Sequence, residues 1–180
     1  MKTKMLIFVF LLGITDLFAQ TLYVPGTIVK GKNASYYCSS ENEILIKVRN
    51  VNNVDTTTTM YYDDGTALPS YKELGGTITT KTEDLVRVFQ EALTQEEIDI
   101  LKSKISYSLL LDIVADKQGN TLEITFSFRS NDPVMTKFDP DRLYQLEQNL
   151  KKVLKLNPSK ADSSIKNMKY IQAISYKDLK

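Results

Sequence analysis

The sequence predicts an α+β fold, with a β-rich lobe over residues 20–80 followed by residues 81–180, where helices pack on an antiparallel sheet. Three observations carry this expectation. Apolar and polar residues alternate through 43–51 and 121–129, which marks half-buried strands. Apolar residues recur every three or four positions through 85–93 and 143–154, which marks one-sided helices. Asp116-Lys117-Gln118-Gly119-Asn120 separates two apolar runs, as a turn separates the strands of a hairpin.

Residues 1–19 read as a secretory signal peptide. Lys2 and Lys4 give a positive start, Met5 to Leu12 are apolar throughout, Gly13 breaks the run, and Ala19 is a small residue before Gln20. The run is shorter than the about 20 apolar residues a membrane helix needs, and Thr15 and Asp16 interrupt its extension. Cleavage at Ala19–Gln20 is expected, giving a periplasmic or secreted chain with no stable membrane insertion. Cys38 lies far from that cut, so no lipid anchor is expected.

In the first lobe, Leu22-Tyr23-Val24 and Thr27-Ile28-Val29 flank a Pro25-Gly26 turn as short extended pieces. Within 43–51, Ile44, Ile46 and Val48 face one way and Glu43, Lys47 and Arg49 the other, with Leu45 as the exception. Thr56-Thr57-Thr58-Thr59-Met60-Tyr61-Tyr62 is β-branched and aromatic, hence strand-prone. It ends in Asp63-Asp64-Gly65-Thr66, where Gly65 accepts positive φ cheaply. Thr77-Ile78-Thr79 reads as another short strand.

Helices begin near Thr82. Leu85, Val86, Val88, Phe89, Ala92 and Leu93 form one stripe, and Glu83 and Asp84 suit the positive end of the helix dipole. Thr94-Gln95-Glu96-Glu97 has the capping-box form and starts a second helix that buries Ile98 and Leu101. Tyr107 to Ala115 is an apolar strand. After the turn, Leu122, Ile124, Phe126 and Phe128 face one way and Glu123, Thr125, Ser127 and Arg129 the other. Asp139 is an N-cap with Pro140 at the first helical position. Leu143, Leu146, Leu150, Val153 and Leu154 make that helix's stripe, Asn157-Pro158 stops it, and Met168 to Tyr176 is a final strand.

Of 180 residues, 42% are hydrophobic and 25% charged, the composition of a folded domain. Without Lys2, Lys4 and Asp16 the acidic and basic residues balance, so neither nucleic acid nor an anionic membrane surface is an expected partner. The chain has no His, which excludes imidazole catalysis and His-ligated metals from its own residues. It has one Cys, which excludes an intrachain disulfide; burial beside Tyr36 and Tyr37 is expected for Cys38.

From Thr94 onward the order is helix, hairpin, helix, strand. The stretch Leu111-Asp112-Ile113-Val114-Ala115-Asp116-Lys117-Gln118-Gly119-Asn120-Thr121-Leu122-Glu123-Ile124 resembles the C-terminal domain of TonB-type energy transducers. The resemblance covers roughly the last half of the chain. It implies that fold and an edge strand that pairs with a partner. It does not imply energy transduction, because the family's Tyr-Pro before the first helix, its uncleaved membrane helix and its long Pro-rich linker have no counterpart here.

Without His, hydrolysis requires carboxylates, and Asp63-Asp64, Glu96-Glu97 and Asp139/Asp141 are the pairs available. Turn and cap roles account for each. Asp116, Asn120, Asn131 and Asp132 offer oxygens to Ca²⁺, but no spacing matches an EF-hand. Ser103-Lys104 and Ser159-Lys160 are the Ser–Lys pairs, in no recognised motif. No catalytic, cofactor or metal site is therefore expected. The positive signal is tyrosine: ten in the chain, with no Trp, and Tyr23, Tyr36, Tyr37, Tyr61, Tyr62 and Tyr71 in the first lobe. Tyrosine suits contact surfaces, packing within strands being the competing use. Tyr61 and Tyr62, with Tyr36 and Tyr37, are the contact candidates. The expected function is a non-catalytic binding or adaptor protein of a Gram-negative cell envelope, with another envelope protein as partner. One alternative is a carboxylate-dependent hydrolase of glycans, with two acids about 5 to 10 Å apart in a cleft. Another is a structural subunit that pairs by edge-strand addition.

Overall fold

The computed structural model describes residues 21–40, 42–55, 59–70 and 72–180. The expected signal peptide, Thr56–Thr58 of the strand-prone run and Tyr71 lie outside the described residues. The elements are β1 (Ile28–Lys30), β2 (Ser35–Ser40), β3 (Leu45–Asn50), β4 (Thr77–Ile78), α1 (Thr82–Glu91) and α2 (Gln95–Lys102). They continue with β5 (Ser108–Ala115), β6 (Thr121–Arg129), α3 (Pro140–Val153), β7 (Leu156–Asn157) and β8 (Met168–Ser175).

Local chemistry fixes the helix starts. Thr94 Oγ1 accepts from Glu97 N at 3.3 Å while Thr94 N donates to Glu97 Oε2 at 2.7 Å, so both halves of the capping box form. Asp139 Oδ1 accepts from Asp141 N and Arg142 N, each at 3.0 Å, ahead of Pro140. The turn between β5 and β6 rests on Gly119 at φ 82°, a conformation open to glycine.

Six strands form one antiparallel sheet in the order β1-β2-β3-β6-β5-β8. The first three come from residues 20–80 and the other three from 81–180. The pairing of β3 with β6, Leu45 opposite Arg129 through Arg49 opposite Thr125, joins the two segments in one sheet. β4 and β7 make a separate two-stranded ladder.

The helices cover one sheet face. Tyr36, Ile46, Val48, Leu111, Ile113, Phe126 and Phe128 from the strands share one buried cluster with Leu85, Phe89, Leu143, Leu146 and Leu150 from the helices. Cys38 is fully buried in the same cluster, and burial pushes its thiol pKa up. The α+β architecture expected from the sequence is therefore present, with the core extending across both segments.

Three local expectations differ. Leu22–Val24 is not a strand; Tyr23 instead sinks into the core, donates its hydroxyl to Phe138 O at 2.9 Å and meets Phe128 edge-on at 5.8 Å. Leu122 is exposed because the ladder shifts register between Val114 and Ala115: Val114 pairs with Glu123 and Ala115 with Thr121, leaving Leu122 as the extra residue of a bulge. Tyr61 and Tyr62 lie in isolated bridges, to Ala67 and Ile165, rather than in a strand. The turn after them forms as expected, with Gly65 at φ 84° and Thr66 N donating to Asp64 Oδ1 at 2.9 Å.

Candidate interaction surface

Each acid pair named from the sequence has a structural partner. Asp63 is ion-paired with Lys117, and Asp64 closes its own turn. Glu97 combines its capping role with a two-point contact to Arg142, at 2.9 and 2.6 Å. Burial pushes the Glu97 carboxyl up, but the Arg142 and Thr94 hydrogen bonds outweigh it and hold the pKa below the usual value. Asp141 Oδ1 accepts from Lys32 N at 2.7 Å, Asn33 N at 3.0 Å and Asn33 Nδ2 at 3.2 Å, which fastens the β1–β2 loop to α3.

The oxygens considered for Ca²⁺ are separated. Asp116 and Asn120 precede the nine-residue β6, and Asn131 and Asp132 follow it. At about 3.3 Å per residue the two groups stand about 30 Å apart. Asp116 accepts from Gln118 N and Asn120 N at 2.9 and 2.8 Å. Burial pushes its pKa up, and the Asn120, Gln118 and Gly119 hydrogen bonds together outweigh that and lower it. Asp132 is buried and accepts from Val134 N, Met135 N and the Tyr176 hydroxyl, at 3.0, 2.8 and 2.7 Å. Ser103 donates to Ile100 O at 2.7 Å and Ser159 accepts from Ala161 N at 3.2 Å, so both serines serve helix ends.

Two buried acids escaped the sequence reading. Glu147 is fully buried on α3. Its Oε2 accepts from the Tyr36 hydroxyl and from Asn50 Nδ2, each at 3.1 Å, and its Oε1 meets Lys151 Nζ at 2.6 Å. Its place beside Leu143, Leu146 and Leu150 on the apolar stripe is the signal that marks it. Asp162 is buried and accepts from Gly75 N and Gly76 N at 2.9 and 3.0 Å through Oδ2. Its Oδ1 has no partner among the described residues.

The tyrosines divide. Tyr36 is fully buried on the helix-covered face, where burial, then Glu147, raise its pKa far above the ordinary value; it offers no contact surface. That corrects its place among the contact candidates, and the cause is strand alternation: Tyr37, next in β2, faces the other way and is 38% exposed. Tyr62 is half-buried against Leu68, Ile165 and Met168, with Lys72 Nζ 5.2 Å from its ring centre. Tyr61 is 41% exposed. It lines an open groove of about 270 Å³ with Val54, Met60, Lys166 and Asn167.

That groove opens at the start of β8. Lys166 N donates to Tyr61 O at 2.9 Å, and β8 begins two residues later. Among the described strands β8 pairs with β5 alone, so its other side is a sheet edge. One cross-strand row of the open face reads Ile28, Tyr37, Arg49, Thr125, Asp112 and Ile171, one residue from each strand. Its centre is polar, and beside it Lys47 meets Asp112 at 2.9 Å. Its ends are apolar: Ile28 is 54% exposed and Ile171 73%. A larger groove, about 690 Å³, lies between α1 and the C-terminus, but its Arg87 is paired with Asp84 and Glu91 at 3.4 and 3.1 Å.

Among the described residues, fold and surface together define an α+β protein with a six-stranded antiparallel sheet, three helices on one face and one long sheet edge. No protein family model and no curated protein match the chain. A solved structure does: the 1.85 Å crystal structure of a DUF5043 family protein from Bacteroides uniformis ATCC 8492 is similar, with TM-score 0.68 and 14% identity over 88% of this chain and 95% of its own. The likeness is one of fold. Among the described residues no helix is long and apolar enough to cross a membrane.

Proposed function

We propose that the chain is a non-catalytic binding or adaptor protein, exported to a bacterial cell envelope, that engages its partner along β8 and the neighbouring Tyr61 groove. The observation that carries the reading is the edge itself. β8 runs for eight residues, is paired on one side among the described strands and displays Ile171 at 73% exposure. Such an edge presents a row of backbone donors and acceptors to an added strand, while alternate side chains select the partner. The leader-like residues 1–19 support export. The engagement of Asp63, Glu97, Asp139 and Asp141 in turns, caps and ion pairs weighs against the glycan-hydrolase alternative.

The test is site-specific photo-crosslinking in the host cell envelope. A photoreactive residue at Ile171 is expected to give discrete protein adducts, and one at Glu91 on the helix side none. Equal labelling at the two positions, or no adduct at Ile171, overturns the reading.

A further inference from the structure

We infer that the partner of β8 is a second copy of this chain, paired antiparallel along the edge about a two-fold axis at Ile171. The inference rests on the proposed binding role of β8 and names its occupant.

The two sheet edges are unequal. β1 has three residues, whereas β8 has eight. Long edges normally carry an outward charge that deters pairing. The only charged side chain on β8 is Lys169, and its ammonium is directed back into its own chain, 2.6 Å from Asp55 Oδ1 and 3.2 Å from Thr59 O.

The strand is also self-complementary. Opposed residues of an antiparallel pair lie on the same sheet face, so a two-fold axis perpendicular to the sheet pairs only positions of equal parity. With Ile171 opposite its own copy, Lys169 falls opposite Ala173, Tyr170 opposite Gln172 and Met168 opposite Ile174. No charge meets a like charge, and the most exposed apolar side chain of the strand is covered by its equal. A centre at Tyr170 sets Lys169 against Ile171, and one at Gln172 sets Ile171 against the small Ala173. The Ile171 centre is therefore favoured by cross-strand pairing. It continues one six-stranded sheet into another, keeps all helices on one face, and closes as an isologous dimer. A contact of one strand is smaller than the about 1,200 Å² of a stable interface, so the dimer forms in a concentration-dependent way.

Light scattering and sedimentation equilibrium on the purified chain test this. The mass is expected to double with rising concentration for the natural sequence and to stay monomeric for Ile171→Lys, whose circular dichroism matches the natural chain. Under mild oxidation Ile171→Cys gives a disulfide-linked dimer, while Ile28→Cys on the opposite edge stays monomeric; buried Cys38 does not compete. A natural chain that remains monomeric at every concentration, or equal cross-linking of the two cysteine variants, overturns self-pairing. If it fails while the photoreactive residue at Ile171 captures a different protein, the binding role of β8 stands. If neither dimer nor adduct forms, both fall.

Discussion

The two faces of the six-stranded sheet are drawn from the same strands by simple alternation, and they serve opposite ends. The covered face carries Tyr36, Val48, Phe126 and Phe128 into the core and sets the Tyr36 hydroxyl on Glu147. The open face carries Tyr37, Lys47, Thr125 and Ile171, held by surface ion pairs and ending in exposed apolar side chains. Stability is concentrated on the first, and exposed side-chain surface on the second. A residue's parity in its strand decides which it serves, as the neighbours Tyr36 and Tyr37 show.

The largest effect that tests this contrast is expected at Glu147. Glu147→Ala leaves the Tyr36 hydroxyl, the Asn50 amide and the Lys151 ammonium without their shared acceptor. Lys151 can turn to water, but each buried donor left without an acceptor costs about 1–3 kcal/mol. Urea unfolding is expected to show a loss of that size, and a loss under 1 kcal/mol would remove the network from the account of stability.

A smaller effect is expected at the rim of the core, where Glu97 ties α2 to α3. Its pKa is lowered on folding from the ordinary value of 4.5. The folded state therefore binds fewer protons, so the stability contributed is full above that value and fades as pH falls through the lowered pKa. Chemical denaturation followed from pH 7 down to pH 3 is expected to show a steeper acid loss for the natural chain than for Glu97→Gln. Identical pH profiles would contradict the pairing.

The smallest effect belongs to the open face. Ile171→Lys is expected to change unfolding free energy by no more than about 0.5 kcal/mol, the range of ordinary surface substitutions. A substantially larger destabilisation in a monomeric sample would show that this edge contributes to the fold itself.

What the sequence conveys follows from the range of the forces involved. Helix starts are legible because caps are local: Thr94 with Glu97, and Asp139 with Pro140. The β5–β6 hairpin is legible because its turn chemistry lies between its strands. The pairing of β3 with β6 is not, since Leu45 and Arg129 share no local signal and only the assembled core selects the register. Tyr36 is misread because strand propensity carries no mark of which face is covered; Glu147, from a distant helix, settles it. Ile171 is overlooked for a related reason: 168–175 is legible as a strand, but its place at a sheet edge is a property of topology.

The β3–β6 junction has a consequence for how the molecule is made. The early strands need a neighbour encoded late, so the emerging polypeptide cannot finish its first half before the second arrives. Ordering proceeds from the close-range hairpin of β5 and β6 outward, and contacts so distant along the chain assemble slowly. Until then the apolar side of the early strands has no cover, which leaves it open to non-native association during that interval.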